Sequence, residues 1–313
     1  MSDEAAEINI PTNVSAPARA ASYAPADDAR SWHEPGVFRT VTLMGSVTFR
    51  EAARRKILWI AAIAGVGFLG LFWAGLHAML HSMAPTASAV TRHEATGMML
   101  MMSLYAGSLM TSLMAAITSC DTLSGEIASG TIHAIATKPV RRWALVLGKW
   151  TGFVLLFGAY ILFVEGGSML IAWIENRYLP PHAIAVLGLI WLQAILLLSV
   201  TMACSARLST LTSGACTIGL YGLAFIGGWI EQFGALRHVR ACVDLGIVVS
   251  LIMPSDALWR RAAFRVQPPL IGAIGATPFS SATAPSLAMV LYAGIYTLAA
   301  LLLAQALLER RDL

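Results

Sequence analysis

The sequence predicts an all-α integral membrane protein with six transmembrane helices, an interfacial N-terminal helix, and an external helical hairpin before the last helix. Three observations support this fold class. Hydrophobic residues make up 57% of the 313 residues and charged residues only 12%, whereas a soluble globular domain contains about 25% charged residues. The apolar residues gather in six stretches, each near the ~20 residues that a helix needs to cross a bilayer. These stretches lack the polar–apolar alternation of barrel strands, so helices are predicted.

Residues 1–35 are predicted to be a disordered cytoplasmic tail. They are rich in Ala, Pro, Ser and Asp, carry net negative charge, and contain no apolar run, so they have too little apolar surface to bury. The tail also lacks the basic start and adjoining apolar core of a secretory signal. The first apolar stretch is therefore expected to remain as a membrane anchor, within a transmembrane domain at residues 36–313.

Residues 37–56 are predicted to form a helix along the inner membrane interface. Apolar residues recur through the segment, and Arg50, Arg54 and Arg55 cluster near its end. Such a helix buries its apolar face at the interface and holds its cations near anionic lipid headgroups. The alternative is a simple basic stop before the first crossing.

Both termini are predicted to lie in the cytoplasm. The candidate spans are Ile57–Leu80, Gly97–Ser119, Gly148–Ile174, Ala183–Ser205, Leu211–Ile230 and Ser286–Leu308. With the N-terminus inside, the inner segments hold a cluster of basic residues, while the first two outer loops hold only Arg92 and Arg177 among their Lys and Arg residues. Because cytoplasmic loops carry an excess of Lys and Arg, this orientation is favoured.

The outer segment, residues 231–285, does not follow the charge rule. Its arginines are Arg237, Arg240, Arg260, Arg261 and Arg265. The apolar run Val243–Met253 is too short to cross alone, and Ser255 or Asp256 is predicted to cap an amphipathic helix at Ala257–Arg265. Since long outer segments obey the charge rule weakly, we predict a hairpin that dips partway into the bilayer. The alternative is a seventh crossing, which would leave a basic C-terminus outside.

A polar loop at residues 120–149 separates the second and third apolar stretches. It reads CDTLSGEIASGTIHAIATKPVRRWALVLGK. Gly125 and Gly130 weaken a continuous helix, and Pro139 restricts the residue before it to an extended conformation. We predict a short helix across the bundle, a break, and a return into the third span, with Asp121 and Glu126 placed to pair with Arg141, Arg142 or Lys149. The alternative is a solvated loop that only follows the charge rule.

This loop resembles the corresponding loop of ABC transporter permeases of the ABC-2 type. The matching positions are Asp121, Glu126, Gly130-Thr131-Ile132, Lys138-Pro139-Val140, Arg141 and Gly148-Lys149. The basic segment before the first span, the six spans and the outer sequence IMPSDALWR also agree with that family. The resemblance covers most of residues 37–313.

The resemblance implies a half-transporter whose loop docks on a separate cytosolic ABC ATPase subunit. The implied docking residues are Asp121, Glu126, Gly130, Thr131, Pro139, Arg141 and Lys149. Two permeases, as a homodimer or an unlike pair, would join two ATPase subunits. ATP and Mg are expected on the ATPase, since this chain has no phosphate-binding loop: Gly148-Lys149 is followed by Trp150 rather than Ser or Thr.

No catalytic residue is therefore expected in this chain, and the family implies transport by alternating access, most often export. The expected location is the inner (plasma) membrane of a bacterium. Membrane lipid is an expected partner, and nucleic acid is not. The cargo is not predicted from any residue of the helices.

Glu165 is the candidate for a substrate path. It lies sixteen residues after Lys149, which is about 24 Å along a helix and places it in the outer half of the bilayer. A carboxyl group at that depth is costly and marks either a pathway or a specific partner. Two interpretations stay open: Glu165 contacts cargo, or it is a protonated or hydrogen-bonded structural residue.

His77 and His81 are four residues apart and share one face of the first span. Met98, Met101 and Met102 are predicted at a similar depth on the second span. Imidazole and thioether ligands suit copper or another soft metal, but methionine also fills gaps in ordinary cores. A metal site is therefore only the minor interpretation, and no metal is predicted.

The four cysteines, Cys120, Cys204, Cys216 and Cys242, show no paired spacing. Gln193, Ser199, Thr201 and Tyr221 are polar residues inside spans, for which hydrogen bonding between helices is favoured over a place in a path.

Two rival functions remain at this point. An ion-driven carrier or channel would need charged residues buried in several spans, where only Glu165 qualifies. A non-transporting membrane assembly subunit would need no ATPase. Copurification with a nucleotide-binding protein distinguishes these rivals from the permease.

Overall fold

The computed structural model describes residues 37–54, 56–128, 142–268 and 285–310. The regular secondary structure in these ranges is helical throughout, which confirms the predicted all-α class. The helices are α1 (Val37–Arg54), α2 (Lys56–Ser82), α3 (Ala89–Ser119), α4 (Asp121–Ala128), α5 (Arg142–Asn176), α6 (Ala183–Ser205), α7 (Thr210–Leu236), α8 (Arg240–Ile252), α9 (Ser255–Val266) and α10 (Leu287–Glu309). The predicted tail at residues 1–35 lies outside the described residues.

Six of these helices, α2, α3, α5, α6, α7 and α10, are long and apolar enough to cross a membrane. The prediction of six spans is therefore confirmed. Two starts differ clearly: α3 begins at Ala89, about two turns before the predicted Gly97, and α5 begins at Arg142, six residues before the predicted Gly148. The added turns of α3 are capped by Ser88, whose Oγ accepts a hydrogen bond from the Thr91 backbone N–H at 3.1 Å.

Helices α3 and α6 lie at the centre of the bundle, and α2 lies at its edge. More than half of the apolar window of α3 and of α6 is buried, against 11% for α2. The core between α3, α5 and α6 contains the fully buried side chains of Leu104, Phe157 and Leu197. The exposed apolar face of α2 is therefore available to lipid.

Small polar residues on α3 bond the neighbouring helices. Ser103 Oγ donates to Ser168 Oγ of α5 at 3.0 Å, and Gln193 Nε2 of α6 donates to Ser112 Oγ at 2.9 Å. Small side chains let transmembrane helices approach closely, and hydroxyl groups then link them. Gln193 thus bonds between helices, as expected.

Helices α8 and α9 meet at a bend of 109°, which fits the predicted hairpin. The predicted cap is wrong. Pro254 occupies the N-cap position of α9 without a side-chain hydrogen bond, while the carboxylate of Asp256 lies 2.9 Å from Arg260 Nε one turn ahead. The carboxylate of Asp256, which was predicted to cap the helix, therefore forms an ion pair within the helix.

Candidate functional site

The short helix α4 follows α3 directly at the predicted inner end of the bundle and packs against α6 and α7. Ser124 Oγ lies 2.8 Å from Thr210 Oγ1 at the start of α7. Thr210 Oγ1 in turn donates to Asp121 Oδ1 at 3.4 Å. From the other side, Ser213 Oγ of α7 donates to the Cys120 carbonyl at 3.3 Å. The predicted short helix is present and is attached to α7 by side-chain hydrogen bonds.

Lys149 attaches α4 to α5. Its side chain is only 7% exposed, and its Nζ donates to the Thr122 backbone carbonyl at 2.9 Å. The sequence predicted that this lysine pairs with a carboxylate. The structure shows that it bonds to a backbone carbonyl of α4. A charged donor to a buried carbonyl is one of the stronger hydrogen bonds in a protein.

The remaining residues of the predicted docking loop cannot be placed in the same way. The backbone of Glu126 belongs to α4, but its side chain lies outside the described residues. Gly130, Thr131, Pro139 and Arg141 lie outside them entirely. Their roles remain predictions.

Helix α1 crosses the first turns of α5 at a contact that only glycine permits. A Cβ added to Gly148 would overlap the Cβ of Met44, and one added to Gly152 would lie 2.7 Å from the Gly45 carbonyl oxygen. Gly148 belongs to the Gly148-Lys149 pair that carries part of the resemblance, and its lack of a side chain allows α1 to lie on α5. The start of α5 thus contacts both α1 and α4.

Glu165 is completely buried between α3 and α5. Thr111 Oγ1 of α3 donates to its Oε1 at 3.0 Å. Gly107 lies against the same carboxyl group, since an added Cβ would stand 3.3 Å from Oε1. The other oxygen, Oε2, is buried without a hydrogen-bond partner among the described residues. The structure places this predicted path residue in a contact between two helices.

His77 and His81 lie together at the predicted outer end of α2, with ring centroids 4.3 Å apart. His77 Nδ1 is 3.2 Å from Glu175 Oε2 of α5, and Trp73 Nε1 donates to Glu175 Oε1 at 2.7 Å. Glu175 is therefore the partner of both His77 and Trp73, a contact that the sequence did not indicate. Within the described ranges, no group of three or more His, Cys, Asp or Glu residues is arranged to hold a metal.

The arginine-rich hairpin contains a buried ion cluster that joins α7, α8 and α9. Arg260 Nη1 lies 2.7 Å from Glu231 Oε1 of α7, and Arg260 Nη2 donates to Ser250 Oγ of α8 at 3.1 Å. The contact of Arg260 Nε with Asp256 is an ion pair without hydrogen-bond alignment. Gly228 makes room for that carboxylate, because an added Cβ would overlap it. The sequence analysis missed this cluster, although the i,i+4 spacing of Asp256 and Arg260 is a signal that could have indicated one of its ion pairs.

Two cysteines without paired spacing in the sequence are neighbours in the fold. Cys204 Sγ of α6 lies 3.8 Å from Cys216 Sγ of α7. The two residues lie near the ends of helices that are joined by a short turn, so the fold brings them together. Their spacing of twelve residues in the sequence matches no cysteine motif. All four cysteines are free thiols in the structure.

Six apolar helices and a short helix attached to one end of the bundle define a multi-pass membrane protein. The family model described as ABC-2 family transporter protein matches residues 46–313. The chain belongs to this family and is a transmembrane permease of the ABC transporter type. No curated protein matches the chain.

Proposed function

We propose that this chain is the permease subunit of an ABC exporter in a bacterial inner membrane, with both termini cytoplasmic and with ATP and Mg bound on a separate ATPase. Two permeases, identical or paired, form the working unit. ATP binding moves the docking loop at residues 120–149, and the bundle changes between two arrangements that nucleotide favours differently.

The attachment of α4 is the observation that supports this proposal best. Lys149 links α4 to α5 and Thr210 links it to α7. Force applied to α4 by a docked ATPase would therefore reach two spans at once. A loop that merely followed the positive-inside rule would not need these attachments.

The ion-driven carrier is supported less well. Within the described parts of the six spans, the charged residues that are less than a tenth exposed are Lys149, near an inner end, and Glu165, while the partly buried Glu231 of α7 is paired with Arg260. A carrier coupled to an ion gradient would place ionisable groups along a path through several helices.

The experiment isolates the tagged chain from native membranes, identifies the proteins bound to it, and reconstitutes the complex with the bound nucleotide-binding protein. We expect ATP hydrolysis to be stimulated by the wild-type chain. Glu126→Arg should reduce the stimulation at least tenfold, because it reverses a charge in the docking helix. Glu309→Arg makes the same charge change at the exposed end of α10 and should leave hydrolysis unchanged.

Two results would contradict the proposal. One is equal stimulation by wild type and Glu126→Arg, with both proteins equally folded. The other is transport by liposomes that contain the purified chain and no nucleotide-hydrolysing protein.

A further inference from the structure

An apolar groove separates α2 from α3. Helix α2 packs mainly against α5, which leaves a cavity of about 390 Å³ between α2 and α3. Its walls run from Phe68 to Met79 on α2 and from Ala95 to Ala106 on α3. The polar residue in the lining, Ser103, already donates its hydroxyl to Ser168. The groove therefore presents mainly apolar surface, because the hydroxyl hydrogen of Ser103 is already used in the bond to Ser168.

The groove opens sideways, toward the space that a bilayer occupies around the bundle. Leu71 on one wall is 73% exposed and Met102 on the other is 39% exposed. Both lie well inside helices that are apolar enough to cross a membrane. Met101, which the sequence grouped with Met98 and Met102, is buried in the core instead.

The length of the groove matches one leaflet. Each wall extends over eleven helical steps, about 16 Å at 1.5 Å per residue. Half of the ~30 Å hydrocarbon core of a bilayer is about 15 Å. Because α2 and α3 run antiparallel, Met79 and Ala95 mark one end of the groove, and Phe68 and Ala106 mark the other. In the proposed orientation, it spans the outer leaflet.

The groove is narrow. Its volume of about 390 Å³ extends over a length of about 16 Å. A single alkyl chain is thin enough to enter.

An arginine precedes the groove along α3. Arg92 lies three residues before Ala95, so its position on the helix is about one turn further toward the proposed outer surface and on a similar side. Among the described residues, the ion pairs are His77–Glu175, Arg260–Glu231 and Arg260–Asp256, and Arg92 belongs to none of them. Guanidinium groups bind phosphate oxygens in bidentate geometry.

We infer that the α2–α3 groove binds one acyl chain of an outer-leaflet phospholipid, with Arg92 contacting the phosphate. The site holds one lipid for each copy of the chain and differs from bulk annular lipid in being walled on two sides. The choice of leaflet rests on the proposed orientation, but the site itself does not depend on the proposed transport function or on an ATPase.

The test uses the full chain in nanodiscs of phosphatidylethanolamine and phosphatidylglycerol, with a trace of phosphatidylglycerol that carries a photoactivatable diazirine on one acyl chain. After irradiation, labelled peptides are mapped by mass spectrometry. We expect label to concentrate on residues 68–79 and 95–106 rather than along the exposed face of α10. Ala106→Trp fills the groove and should reduce labelling there at least fivefold, while the matched Ala299→Trp on the exposed face of α10 should not.

A second variant tests the headgroup contact without changing the groove. Removal of one cation near the membrane surface, as in Arg92→Gln, should lower groove labelling about fivefold. Even labelling of the groove and α10, or groove labelling that resists Ala106→Trp, would overturn the inference. So would efficient disulfide linkage of two copies through Met102→Cys, because a second copy would then cover the groove. Labelling unaffected by Arg92→Gln would overturn the phosphate contact.

Discussion

The carboxyl group of Glu165 shows how a costly residue is accommodated at the scale of one side chain. It is fully buried, and Thr111 on the neighbouring helix donates a hydrogen bond to it. Hydrogen bonds between transmembrane helices stabilise modestly, by about 0.6 kcal/mol on average. The geometry therefore favours the structural interpretation over contact with cargo.

Glu165→Gln should keep the unfolding free energy within about 1 kcal/mol of wild type, because the amide oxygen still accepts from Thr111. Glu165→Ala should cost about 2–4 kcal/mol, since it removes the bond and leaves a cavity. Unfolding in mixed detergent micelles measures both. A Gln variant that stays fully stable yet loses transport would restore the cargo-contact interpretation.

At the scale of elements, Arg260 links the hairpin of α8 and α9 to α7. Arg260 contacts Glu231 on α7, Ser250 on α8 and Asp256 on its own helix. Neighbouring Arg261 adds a hydrogen bond to the Pro285 carbonyl, just before α10. Loss of Arg260 would leave two carboxylates without their shared cation.

Arg260→Met should lower the unfolding free energy by about 3–5 kcal/mol, the usual cost of removing one partner of a buried ion pair. Arg265→Met, on the same helix but outside the cluster, is the matched control and should have little effect. Adding Asp256→Asn to Arg260→Met should restore part of the stability, because one uncompensated charge is removed. Equal melting temperatures for Arg260→Met and Arg265→Met would contradict the role of the cluster.

At the scale of the whole molecule, Lys149 connects α4, the proposed docking helix, to α5. Lys149→Met should preserve insertion and ATPase binding but reduce stimulated ATP hydrolysis several-fold, because α4 loses a charged hydrogen bond of about 1.5–3 kcal/mol to α5. Lys56→Met removes an exposed lysine at the inner end of α2 and serves as control. The ratio of hydrolysis with and without the permease is the measurement. Equal ratios for the two variants would show that the attachment does not transmit force.

The sequence predicted the parts of this fold that depend on local composition. Apolar stretches of sufficient length indicated six spans, and glycines at 125 and 130 indicated a short helix near Asp121. Features that depend on packing between distant segments were not predictable. The Thr122 carbonyl that receives Lys149 carries no side-chain signal, and the approach of Cys204 to Cys216 appears only when α6 and α7 pack. The groove likewise exists because α2 packs away from α3.

Helix α5 is 35 residues long, about 52 Å, and therefore far exceeds the ~30 Å hydrocarbon thickness that it must cross. In the proposed orientation, its inner end would project beyond the bilayer toward the cytosol. A tilt of about 5° around its midpoint would carry that end through about 2 Å, given the length set by its helical rise. In the proposed mechanism, an ATPase bound at α4 could therefore produce such a tilt by a movement smaller than the width of a side chain.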